Sequence, residues 1–133
     1  MRSQLTGRQG EAATADYLRK KGYKVIEANY ATRFGEIDLI AKKHKTVVFV
    51  EVKTRKNRRF ANAFEAVNAK KQAKIRACAE QWLAENDPGG QLCARFDVVE
   101  VYINDPAKPP FYLNHIENAF ASEGYADERR PAF

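Results

Sequence analysis

A chain of 133 residues that is 44% hydrophobic and 11% aromatic has enough apolar side chain for one packed core without disulfide staples, and too much to be wholly disordered. No stretch approaches the ~20 apolar residues that span a bilayer, and the opening Met1–Thr6 lacks the apolar stretch of a signal peptide, so a cytoplasmic location away from membranes is expected. The net charge of +6 is local: Lys53 to Arg76 holds nine basic residues against the single acid Glu65, a segment of +8, and the other 109 residues carry −2.

The first expected element is a helix over Gly7–Lys21, with Ala12, Ala15 and Leu18 at helical spacing and Gly22 as its stop. Tyr23–Tyr30 reads as a strand, and Gly35 opens a second one, Glu36–Ala41. After a polar turn comes the strongest strand signal, Thr46–Thr54, apolar on both faces and so expected to be central and covered on both sides. A basic loop, Arg55–Asn62, leads to a helix from about Glu65 or Asn68 to Asn86, with Val67, Ile75, Ala79, Trp82 and Leu83 as its stripe and Asp87-Pro88-Gly89-Gly90 as its end. Arg95–Ile103 alternates as a strand, and Phe111–Phe120 reads as a last, edge-like strand. The order α-β-β-β-α-β-β describes a mixed sheet with a helix on each side, in one domain over 1–120, followed by a polar tail over 121–133 expected to be mobile.

The second and third strands carry the chemistry. A symmetric hairpin around His44-Lys45 pairs residues whose numbers sum to 89, which sets Asp38 opposite Glu51 and Glu36 opposite Lys53 on one face. Opposed side chains have Cβ atoms ~5 Å apart. Two carboxylates so close repel unless a cation lies between them, and hard divalent cations take oxygen ligands, hold phosphate and acidify water. A lysine beside them can orient or deprotonate that water. The competing reading, an ordinary cross-strand ion pair of Glu36 and Lys53, explains acids flanked by Ile37, Leu39, Val50 and Val52 less well. Glu11 shares a helix stripe with Ala15 and Leu18 and so points toward the sheet, although a carboxylate near a helix N-terminus also suits the helix dipole. The basic run, with Arg55, Lys56, Arg58, Arg59, Lys70, Lys71 and Lys74, suits a phosphate backbone. Cys78 and Cys93 form no CxxC and have no clustered His, and His44 and His115 lie far apart, which speaks against zinc.

Gly10-Glu11, Tyr17-Leu18, Gly22-Tyr23, Asn29-Tyr30, Gly35-Glu36-Ile37-Asp38-Leu39-Ile40-Ala41, Phe49-Val50-Glu51-Val52-Lys53-Thr54-Arg55 and Arg95-Phe96-Asp97-Val98-Val99 together resemble the YraN-like bacterial family, whose members are labelled endonucleases by similarity. The resemblance covers roughly Gly7 to Ile103. Through it the chain is similar to the PD-(D/E)XK nuclease superfamily and its archaeal Holliday-junction resolvases. The resemblance implies a restriction-endonuclease-like core and a metal-dependent DNA endonuclease acting on branched or duplex DNA, with Mg²⁺ as cofactor, Mn²⁺ as its substitute, and a homodimer as an assembly it permits. It implies Asp38 and Glu51 as metal ligands, Glu11 as the acid from the first helix, Lys53 as the motif lysine, Lys71 as a phosphate-reaching lysine, and Glu36 as a motif residue without an agreed role. Ile37 stands where the superfamily motif has proline. The alternative is a nucleic-acid-binding protein with the same fold and no turnover.

Overall fold

The computed structural model describes residues 2–56, 67–105 and 107–121, with side chains from residue 7 onward. Its elements are α1 (Arg2–Lys20), β1 (Lys24–Thr32), β2 (Gly35–Lys43), β3 (Thr46–Arg55), α2 (Ala69–Asn86), β4 (Cys93–Tyr102) and β5 (Tyr112–Phe120). The expected order and the mixed five-stranded sheet are both present. The strands lie side by side in chain order, all neighbours antiparallel except β3 and β4, which run parallel from Thr46–Cys93 to Arg55–Tyr102. That pair is parallel because the chain leaves β3 and returns to β4 by way of α2, a crossover that a tight turn cannot make. Of the expected tail over 121–133, all but Ala121 lies outside the described residues.

The strongest strand signal is the middle strand. Val47, Val48, Phe49 and Val50 are all buried. Val47 and Phe49 pack with Ile75, Cys78, Ala79 and Trp82 of α2, while Val48 and Val50 pack with Ala15 and Leu18 of α1. Phe49 meets Trp82 edge-on at 5.8 Å and stacks on Phe96 at 5.5 Å, which stacks on Phe120 at 5.0 Å. This aromatic chain ties α2 to the far edge of the sheet with contacts of ~0.5–1.5 kcal/mol each beyond their burial.

Both helices stop and start where local chemistry directs. Gly22, at φ 95°, ends α1: its N–H donates to Arg19 O at 3.0 Å and that of Tyr23 donates to Leu18 O at 2.9 Å. This paired closure satisfies carbonyls that a helix end would otherwise orphan. At α2, the Asn68 side chain accepts from Lys71 N–H at 2.9 Å. Of the two expected starts for this helix, Asn68 caps it, and Glu65 lies outside the described residues. α1 begins earlier than expected, at Arg2.

α1 crosses β3 closely at Gly10. A Cβ there would collide with Thr54 Oγ1 and lie 3.6 Å from Val52 Cγ1. We expect Gly10→Ala to destabilise the fold by about 1–3 kcal/mol through overpacking, despite alanine's better helix propensity. Urea unfolding is the check, and a gain in stability would contradict the close approach.

Candidate active site

The β2–β3 ladder follows the expected register from Lys43–Thr46 to Leu39–Val50 and stops there. The next residue of β2 is Asp38. Its carboxylate Oδ2 accepts from the Val52 N–H at 2.7 Å, replacing a backbone partner with a side chain. β2 meanwhile stays paired with β1, where Ile37 faces Tyr30 and Glu36 faces Ala31. The two central strands therefore part at the position where the sequence carries its acids.

Between the parted strands and α2 lies a cavity of about 450 Å³, lined by Gly35, Glu36, Asp38, Glu51, Asn68, Lys70, Lys71, Lys74 and Ile75. Asp38 and Glu51 come together as expected. The expected Glu36–Lys53 pairing does not form among the described residues, because the ladder has ended before it. Lys53 turns to its own strand neighbour instead, with Nζ 3.5 Å from Glu51 Oε2, and Lys71 Nζ reaches the same oxygen at 2.7 Å. One buried carboxylate oxygen thus holds two ammonium groups.

These neighbours shift the titrations. Burial, then the charge of Glu51, pushes the Asp38 carboxyl up to about 7, against the opposing hydrogen bond from Val52. Burial lowers the pKa of Lys53, and the adjacent Lys71 ammonium lowers it further. Lys71 is raised: burial opposes its charge, but the hydrogen bond and charge of Glu51 outweigh that. Of two lysines on one carboxylate, Lys71 keeps its proton firmly and Lys53 holds it more loosely.

Glu11 sits on α1 outside the cavity lining but within electrostatic reach of it. Its pKa is raised by burial first, opposed by a hydrogen bond with Asn29, and raised again by Glu36 and Glu51. Asn29 itself has φ 53° within β1 and lies across from Asp38, between the Ala28–Leu39 and Tyr30–Ile37 pairs. Asparagine tolerates this left-handed backbone better than most residues. The sequence reading assigned Asn29 no role; an asparagine inside a strand, where it is depleted, was the available signal.

Among the basic candidates, Lys70, Lys71 and Lys74 rim the cavity. Arg55 lies further along β3, with Nε 4.0 Å from the buried Glu100, whose Oε1 accepts from Tyr102 and Asn114. Lys56 is exposed just beyond β3. Arg58 and Arg59 lie outside the described residues.

Two carboxylates beside a lysine-rimmed cavity fit Mg²⁺, which commonly uses one or two protein carboxylates and fills its octahedron with water and substrate oxygen. Among the described residues no three His, Cys, Asp or Glu side chains form a ready-made metal cage.

A second polar cluster lies on the α1 face. Asp97, fully buried, accepts from Arg95 Nε and Nη2 at 2.9 Å each and from Asn118 N–H at 2.9 Å, with His115 Nε2 at 2.7 Å. Tyr17 Oη meets His115 Nδ1 at 2.8 Å, which ties α1 to β5 through β4. Burial pushes the Asp97 carboxyl up, but its bonds from His115, Arg95 and Asn118 together outweigh this and hold it below the usual carboxylate range. Among the described residues no helix is long and apolar enough to cross a membrane.

The chain is 46% identical over 115 residues to a UPF0102 protein of Alkaliphilus oremlandii, covering 86% of this chain and 96% of that one. It is 44% identical over 120 residues to one of Caldicellulosiruptor bescii, covering 90% and 100%, and 40% identical over 120 residues to one of Clostridioides difficile, again covering 90% and 100%. Residues 10–101, from the glycine that seats α1 on β3 through nearly all of β4, match the model of the uncharacterised protein family UPF0102, and the chain belongs to that family.

Proposed function

We propose that this protein is a metal-dependent DNA endonuclease with a PD-(D/E)XK-type site. The observation that carries the reading is the acidic floor and basic rim of one cavity. Asp38 and Glu51 meet where β2 and β3 part, and Lys70, Lys71 and Lys74 surround them. Asp38 and Glu51 would hold a Mg²⁺, with Glu11 completing the acidic surroundings. Bound there, the ion supplies a Lewis acid for the phosphate and a water of lowered pKa. Lys53, with its loosened proton, is the group to hold or move a proton at the attacking water. Lys71, firmly charged, stabilises negative charge developing on the phosphate. Lys70 and Lys74 take flanking backbone phosphates.

The test is cleavage of labelled linear, flapped and four-way DNA in Mg²⁺ or Mn²⁺. We expect Lys53→Ala to slow cleavage by about 10²–10⁴-fold with DNA binding kept, the usual scale for losing a positioned acid or base. No cleavage of any substrate by the wild type in either metal rejects the enzyme.

One observation favours a second reading, a DNA-binding protein without turnover. Glu51 Oε2 already carries two lysine ammoniums, which a metal would have to displace or bypass. In that case binding persists without cleavage, and its log affinity still falls with log salt, by about 0.9 per phosphate neutralised on duplex.

A further inference from the structure

The turn between β1 and β2 is two residues long, Arg33-Phe34, closed by the Thr32–Gly35 pair. Two-residue hairpin turns ordinarily carry Asn, Asp or Gly, so turn geometry does not call for a phenylalanine. Phe34 is nonetheless at the tip and 39% exposed. Its ring carries the Arg33 guanidinium at 4.9 Å from the centroid.

The tip is also held in place. The Phe34 N–H donates to Thr32 Oγ1 at 3.0 Å, and that hydroxyl lies 3.1 Å from the sulfur of buried Cys78 on α2. Gly35, at φ 149°, takes a backbone conformation that side-chain-bearing residues rarely adopt, and it lies beside α2, where a Cβ would make an ordinary contact of 3.7 Å with Lys74 Cβ. Gly35 and Glu36, the next residues, line the acidic cavity. The backbone of the turn is therefore anchored toward α2, and Phe34, with the Arg33 guanidinium over its ring, directly precedes the cavity-lining Gly35.

We infer that Phe34 is a stacking platform for an unpaired nucleic-acid base, and that it selects DNA with single-stranded character at the cavity. This rests on the nuclease reading for its substrate, but not on turnover. Unpaired bases stack on exposed aromatics while basic residues track the backbone, and an arginine on the ring adds its own attraction for the base face. A paired base inside a duplex offers no free face. A protein partner is less suited to this surface: among the described residues the other exposed large apolar side chains, Ile26 and Tyr112, lie near the far end of β1 and at the start of β5, so within that set Phe34 joins no broad apolar patch.

The experiment measures binding in EDTA, by anisotropy, of labelled single-stranded DNA, a blunt duplex of the same sequence and a flapped duplex. Wild type is compared with Phe34→Ala and Phe34→Trp. We expect Phe34→Ala to lose about 5- to 150-fold in affinity for the single strand and the flap, with blunt duplex changed less than about twofold, and Phe34→Trp to restore it. A 2-aminopurine in the single strand should be quenched by the wild type and Phe34→Trp and not by Phe34→Ala. Equal losses on all three DNAs, or none, overturn the inference, as does a Phe34→Ala variant whose only change is a shift in oligomeric state by sedimentation, which would make the tip a protein contact. Base-selective binding through Phe34 without cleavage keeps the platform and rejects the nuclease. Cleavage whose preference among substrates is unmoved by Phe34→Ala does the reverse. A wild type that binds none of the three DNAs overturns the platform, while cleavage in Mg²⁺ or Mn²⁺ decides the nuclease separately.

Discussion

Asp38→Asn is expected to abolish cleavage and, at pH 8 without metal, to make the protein more stable. The wild-type carboxyl is pushed up to about 7 by burial and by Glu51. The folded state therefore binds a proton that the unfolded chain releases near pH 4, and wild-type stability falls as pH climbs from about 4 to about 7. Above pH 7 the charged carboxylate costs on the order of 4 kcal/mol. Asparagine removes that cost, because its carbonyl oxygen can still accept from Val52 N–H and it no longer repels Glu51. Thermal unfolding in EDTA should show Asp38→Asn ahead of the wild type by roughly 10 °C at pH 8, with the two converging near pH 4. Millimolar Mg²⁺ should raise the wild type and leave the variant unmoved, as expected for a ligand that binds only the folded state. A variant less stable than the wild type at pH 8 would mean that the Asp38 charge is already compensated.

Asp97→Asn is expected to have the opposite sign and a comparable size. The buried carboxylate takes four hydrogen-bond partners from Arg95, His115 and Asn118. Replacing it leaves the Arg95 guanidinium with only the exposed Glu117 carboxylate, 4.0 Å away, a loss of about 3–5 kcal/mol for a buried pair, or roughly 10–20 °C in Tm. Because the folded state holds this carboxyl below its unfolded value, the contribution is fully present above about pH 4 and disappears as pH falls through the lowered folded value. The gap between wild type and Asp97→Asn should therefore be widest near neutral pH and close in acid. A variant within about 1 kcal/mol of the wild type at pH 7 would show that the network positions β5 and α1 without stabilising them.

Asp38 and Asp97 differ in how legible they were. Asp38 stands in a strand pattern beside an opposed Glu51, and the period of two puts both on one face from the sequence alone. The same arithmetic set Glu36 against Lys53 and failed there, because it assumed that the ladder continues. Asp38 itself ends it by taking the Val52 amide, and nothing in the pattern of apolar residues marks that exchange. Asp97 lies in a strand that the sequence placed well, yet its partners come from β5 and its own strand neighbour, and through His115 from α1. His115 in isolation gave no hint of a role. Phe34 was likewise invisible as a platform until α2 was seen to hold the turn.

What the sequence determined by itself is local: two helices with the glycine stop of the first, five strands with a doubly apolar one at the centre, a hairpin register, and a positive charge concentrated in one segment. These follow from periodicity and from the conformational demands of single residues, which neighbours in the chain can report. Only the tertiary structure decided that β2 and β3 part at the acids, that Lys71 from α2 and Lys53 share one oxygen of Glu51, that Asn29 joins the acidic surroundings, and that Asp97 is matched by partners up to 21 residues away along the chain. The reason is physical. Each of these depends on which buried polar group finds which partner once the hydrophobic faces have closed, and that is settled by distances between elements that the sequence alone does not contain.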